Sequence, residues 1–208
     1  MFRHKALVFI ALLNSAVFLP GQNEINHPEV APGVVLPSTG TIYGLDVFEA
    51  KPSLLQIHPT EIHANSHAGS NFARSAVYAG PHSTVELTGT SSAATFHVPL
   101  PVFYVKLNGD DPELLRSRVH LIRLKTVKDR RVVSEFSMNI FGGQKKRQYD
   151  DVAVSKSDVA DSPWLKLTPQ STLEPGEYGI VFMPKDPNLF PDVVYDFSVP
   201  GVSTQGTH

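Results

Sequence analysis

Apolar and polar residues alternate with a period of two over much of the chain, and no sustained helical period occurs after the first twenty residues. In Tyr178–Met183, Tyr178, Ile180 and Phe182 fall on one side of an extended strand, with Val181 and Met183 on the other. Val193, Tyr195, Phe197 and Val199 share a face in the same way. Further strands are expected at Thr41–Phe48, Ser53–Ile57, Glu61–His63, Ala76–Tyr78, Ser83–Leu87, Ala94–Val98, Val102–Leu107, Val152–Val154 and Trp164–Leu167. Val119–Val127 and Arg131–Phe141 read as a hairpin across Lys128-Asp129-Arg130, with Ile122 and Leu124 on one face and Arg123 and Lys125 on the other. A short helical turn is expected at Pro112–Arg116. Ten or so short strands separated by turn signals predict an all-β fold. The expected form is a two-sheet antiparallel β-sandwich, with a Greek-key or immunoglobulin-like order among the options.

One turn organises the end of the chain. Pro175 pre-sets the backbone for the second position of a type I or II turn, and Gly176 accepts the positive φ that type II needs next. Tyr178 follows at a spacing similar to the tyrosine corner of Greek-key sandwiches, in which a phenol bonds back to upstream backbone. A plain hairpin with a buried tyrosine is the alternative.

The order of these segments resembles a loose set of uncharacterised exported bacterial proteins. The shared features are Thr41-Ile42-Tyr43-Gly44-Leu45, the segment around Pro101-Val102-Phe103-Tyr104, and the charged hairpin Leu121-Ile122-Arg123-Leu124 to Asp129-Arg130-Arg131. The last is the Pro175-Gly176-Glu177-Tyr178 turn with Tyr195-Asp196-Phe197. The resemblance spans Thr41 to Val199, with Ser198 standing where glycine is expected. It implies a shared fold and carries no activity.

Organisation follows from the two ends. Residues 1–21 have a basic start (Arg3, Lys5) and an apolar run from Ala6, the pattern of a secretory signal helix with a cut after Ala16 or Gly21. An uncleaved N-terminal anchor is the other reading. Residues 22–40 read as an irregular linker, 41–199 as one β domain and 200–208 as a flexible tail. The chain has no cysteine, so an exported form relies on packing alone. It also has no Asn-x-Ser/Thr site, and the expected setting is bacterial, periplasmic or extracellular.

Net charge is −2 but unevenly distributed. Between Arg116 and Arg147, ten Lys and Arg face only Asp129 and Glu135, a net of +8, and the remainder carries −10. This asymmetry points to a basic face made of Arg123, Lys125, Arg131, Lys145, Lys146 and Arg147, suited to an anionic polymer. An acidic polysaccharide or lipopolysaccharide fits better than nucleic acid, because no aromatic residues interleave with the basic loop. The alternative is that these are solvated edge charges that discourage sheet-to-sheet association.

Two other clusters carry potential chemistry. His58, His63 and His67 have the ligand types of a zinc or copper site, though their spacing also suits solvated loop histidines. Glu174, Glu177, Asp192 and Asp196 approach one another if the last strands pair, but alternation turns Asp196 outward and leaves Glu174 and Glu177 facing water. There is no hydrolase serine elbow, metalloprotease helix or phosphate-binding glycine loop, and no cofactor is expected. The expectation is a non-catalytic binding module with an anionic polysaccharide or an envelope protein as partner. The alternatives are a metal-dependent enzyme or hydrolase with a loop-borne site, and a structural subunit of an envelope complex.

Overall fold

The computed structural model describes residues 27–66, 82–109, 111–138, 145–186 and 189–201, which form an all-β fold with one short helix among them. The first strands are β1 (Glu29–Ala31), β2 (Val34–Val35), β3 (Ile42–Phe48), β4 (Lys51–Gln56), β5 (Pro59–Glu61) and β6 (His63–Asn65). β7 (His82–Thr88) and β8 (Val102–Lys106) precede helix α1 (Pro112–Arg118), which runs into β9 (Val119–Val127). Then follow β10 (Arg130–Met138), β11 (Lys145–Gln148), β12 (Asp150–Val152), β13 (Val154–Asp158), β14 (Trp164–Pro169), β15 (Gly176–Phe182) and β16 (Val193–Val199). The N-terminal segment 1–21, the strand expected at Ala76–Tyr78 and His67 lie outside the described residues.

Five strands form one antiparallel sheet in the order β13-β14-β8-β3-β4. The larger sheet runs β5-β16-β15-β9-β10-β7-β6. Its two end strands are consecutive pieces of one segment, separated only by Ile62, so the sheet curls until it nearly closes. A second interrupted strand sits within it. β11 pairs with β10 and β12 pairs with β9, on either side of Tyr149.

The curl gives the larger sheet two buried faces. Leu121, Tyr178, Ile180, Phe197 and Val199 pack with Ile42, Phe103, Val105, Leu165 and Leu167 of the five-stranded sheet. Val85, Leu87, Ile122, Leu124, Val133, Val181 and Val194 form a separate apolar cluster on the other face. The alternation in Tyr178–Met183 therefore divides as expected, with Ile180 and Phe182 in the first cluster and Val181 and Met183 in the second.

Several expectations need correction. Part of the presumed linker is a small hairpin, β1–β2, and Leu36 after it is fully buried among Tyr43, Tyr104 and Trp164. Ala94–Val98 forms no full strand; it makes a single parallel bridge, Thr95 to Ser198. Phe96 fills the first cluster by lying over Gly44, where any side chain would collide with its ring. Pro175 makes a bend and Gly176 already opens β15, so the Pro-Gly pair leads into the strand and is not the centre of a tight turn. The Tyr178 hydroxyl does donate back to the Glu174 carbonyl, at 2.8 Å. Asp111 caps α1 by accepting from the Leu114 amide at 2.9 Å.

Candidate functional site

The larger sheet opens in a fork between β9 and β10. The two strands leave the turn at Lys128-Asp129 paired, from Arg130–Val127 to Val132–Lys125. Pairing with β7 then shifts register between Val132 and Ser134, so Val133 is the extra residue of a β-bulge. A bulge bends its strand, and here β10 departs from β9 at that point. The segment through β11 and β12 enters the gap. A cleft of about 770 Å³ remains at the fork, lined by Arg123, Lys125, Val133, Glu135, Tyr149 and Asp150 among others.

Arg123 and Lys125 thus share a cleft, as their common strand face suggests. β11 places Lys145, Lys146 and Arg147 beside it in backbone register with Met138, Ser137 and Phe136. Five of the ten basic residues between Arg116 and Arg147 meet a carboxylate among the described side chains. Arg123 pairs with Glu174 at 2.6 Å and lies over the Tyr178 ring, and Lys125 is 3.8 Å from Glu135. The Glu174 hydrogen bond is the main reason the Arg123 guanidinium holds its proton more tightly than usual. Arg116 pairs with Asp158, and Arg130 with Glu86 at 2.8 Å. The acidic excess elsewhere in the chain is brought onto the basic stretch by folding.

Arg131 does not belong to the basic face. Its side chain is 3% exposed and points into the curl of the larger sheet, where it donates to Asp196 and, at 3.4 Å, to Glu177. Its remaining nitrogens reach the carbonyls of Gly89 and Thr88, each at 3.2 Å. Thr60 donates to Asp196 at 2.5 Å, Ser198 donates to Glu177 at 2.6 Å, and the Ser92 amide donates to Glu177 at 2.8 Å. Asp196 and Glu177 therefore do not face water, contrary to what local alternation suggests. Asp196 and Ser198 share a strand face with Val194, which the fold buries completely. A fully satisfied polar cluster of this kind fixes how the strands sit against one another.

The other candidates are dispersed. His58 and His63 are exposed on either side of β5, and among the described residues no three His, Asp or Glu side chains converge on a metal position. His63 sits opposite Glu86 in the β6–β7 pairing. Glu86 is buried and accepts hydrogen bonds from Thr84, Asn65 and Arg130. Burial alone would raise its pKa, but these bonds outweigh it and hold the carboxyl below its ordinary value. His97 is half-exposed. Its ring Nδ1 lies 2.6 Å from the buried Asp46 carboxylate and its amide donates to the same group at 2.8 Å. His120 is 3.1 Å from Asp151.

Among the described residues no helix is long and apolar enough to cross a membrane. No family model, curated protein or solved structure matches the chain.

Proposed function

We propose that this chain is an exported, non-catalytic β-sandwich module that holds an acidic envelope polysaccharide in the fork cleft. The observation that carries the reading is that Arg123 and Lys125 line one cleft, whose edge at Gln148 continues into the β11 segment Lys145–Arg147. Arg131 is left out of the binding set because it is buried and paired. Glu135, Asp150 and Glu177 also line the cleft. Glu135 and Asp150 accept hydrogen bonds from ligand hydroxyls and repel a dense polyphosphate, which favours a sugar polymer with spaced carboxylates over nucleic acid. The sandwich assignment is supported by the apolar cluster shared between the two sheets. Export is inferred from the signal-like pattern of residues 1–21.

The test is binding of polygalacturonate, dextran and polyphosphate at low and high salt. It compares the parent chain with a variant carrying Lys145→Ala, Lys146→Ala and Arg147→Ala. Polygalacturonate is expected to bind best, to weaken with salt, and to lose about tenfold or more in affinity in the variant. Binding that the triple change leaves untouched, or no binding at all, would overturn the reading. One equivalent of tightly held metal, lost on substitution of His58 and His63, would favour the metal-enzyme alternative.

A further inference from the structure

A second cleft, of about 490 Å³, lies at the other end of β15 from the fork, beside Arg118. Its volume is within the range of small-molecule sites, roughly 300–1,000 Å³. Ile62, at the break between β5 and β6, forms one wall, and Phe182, Pro184, Leu189 and Phe190 form most of the rest. Arg118 and Asp192 are the only charged side chains in the lining.

Arg118 is set apart from the other arginines whose side chains are described. Arg116, Arg123, Arg130 and Arg131 each pair with a carboxylate. Arg118 pairs with none among the described residues; its Nε donates to the Met183 carbonyl. That bond fixes one side of the guanidinium and leaves its two terminal nitrogens to meet a planar anion. A half-buried cation against an apolar wall suits a ligand that is itself divided into an anionic head and an apolar body.

We propose that this cleft binds a medium-chain fatty carboxylate, with its head at Arg118 and its chain along Ile62, Phe182 and Leu189. A peptide fits less well, because beyond Arg118 and Asp192 the lining offers no polar side chain to satisfy its amides. A doubly charged phosphate monoester fits less well because Asp192 opposes the extra charge. The site is independent of the fork cleft and of what that cleft binds.

The experiment is calorimetric titration of the full chain with dodecanoate, dodecanol and dodecylammonium, each below its aggregation threshold. Dodecanoate is expected to bind at least about tenfold more tightly than dodecanol, as one charged hydrogen-bonded pair would give. Arg118→Gln should abolish that preference, and Asp192→Asn should strengthen dodecanoate binding. Leu189→Glu, at a position 57% exposed, should weaken binding without disturbing the fold, and serves if Arg118→Gln fails to fold. No dodecanoate binding, equal affinity for the alcohol, or binding indifferent to Leu189→Glu would overturn the proposal. A preference for the carboxylate that survives Arg118→Gln would overturn it as well.

Discussion

Arg131 and Asp196 stand 65 positions apart in sequence and form an ion pair inside the curled sheet, with neither side chain more than 5% exposed. The pair ties β10 to β16, which are not neighbours in the sheet. Removing one partner strands a charge away from water. Asp196→Ala is therefore expected to destabilise the fold by about 3–5 kcal/mol, toward the lower end because Glu177 remains near Arg131. The double change Arg131→Met with Asp196→Leu should recover most of that loss. Urea unfolding of the parent chain and the two variants decides it, and a loss below about 1 kcal/mol for Asp196→Ala would refute the role given to the pair.

The Tyr178 phenol closes the corner onto the Glu174 carbonyl. Tyr178→Phe keeps the ring, its stacking on Phe197 and its place in the core, and removes only the hydroxyl. The expected cost is about 1 kcal/mol in denaturant unfolding, the usual net value of one hydrogen bond. A neutral result would make the corner incidental to stability.

Gly44 leaves the space that the Phe96 ring fills. Gly44→Ala should cost about 1–3 kcal/mol through overpacking. Adding Phe96→Leu should then cost less than the same change in the parent chain, because the two sites share one volume. Additive losses in thermal or urea unfolding would show that the ring moves aside freely.

Glu86 predicts part of the acid response. Its folded pKa lies below the ordinary 4.5, so folding favours the ionised carboxylate. This contribution is fully present above about pH 4.5 and is lost as pH falls through the lower folded value. Glu86→Gln should be less stable than the parent at pH 7, and the difference should narrow by pH 3. A gap that stays constant across unfolding curves at the two pH values would assign the acid response to other groups.

The strands of the C-terminal half were legible because their alternation is local. Tyr178, Ile180 and Phe182 needed only period-two reading to be placed on one face. The role of Asp196 was not legible, because whether its face meets water depends on closure of the sheet by residues 59–65. Arg131 was misplaced for the same reason. The segment 94–98 carries a strand-like pattern but takes its bonds elsewhere. The Phe96 amide donates to the Ser198 carbonyl and the Ser198 amide to the Ala94 carbonyl, outside any long ladder, and Asp46 accepts the His97 amide. The fork cleft depends on a bulge at Val133 that no residue of the Arg-Val-Val-Ser run announces.

The segment 59–65 carries a further consequence. It holds β16 through three residues and β7 through three more, and so covers the edges of two longer strands. Release of this short strap would uncover both edges while most of the core stayed packed, and uncovered edges pair readily with other chains. Aggregation of this cysteine-free protein under stress would then follow the local opening of residues 59–65 and begin below the temperature of global unfolding.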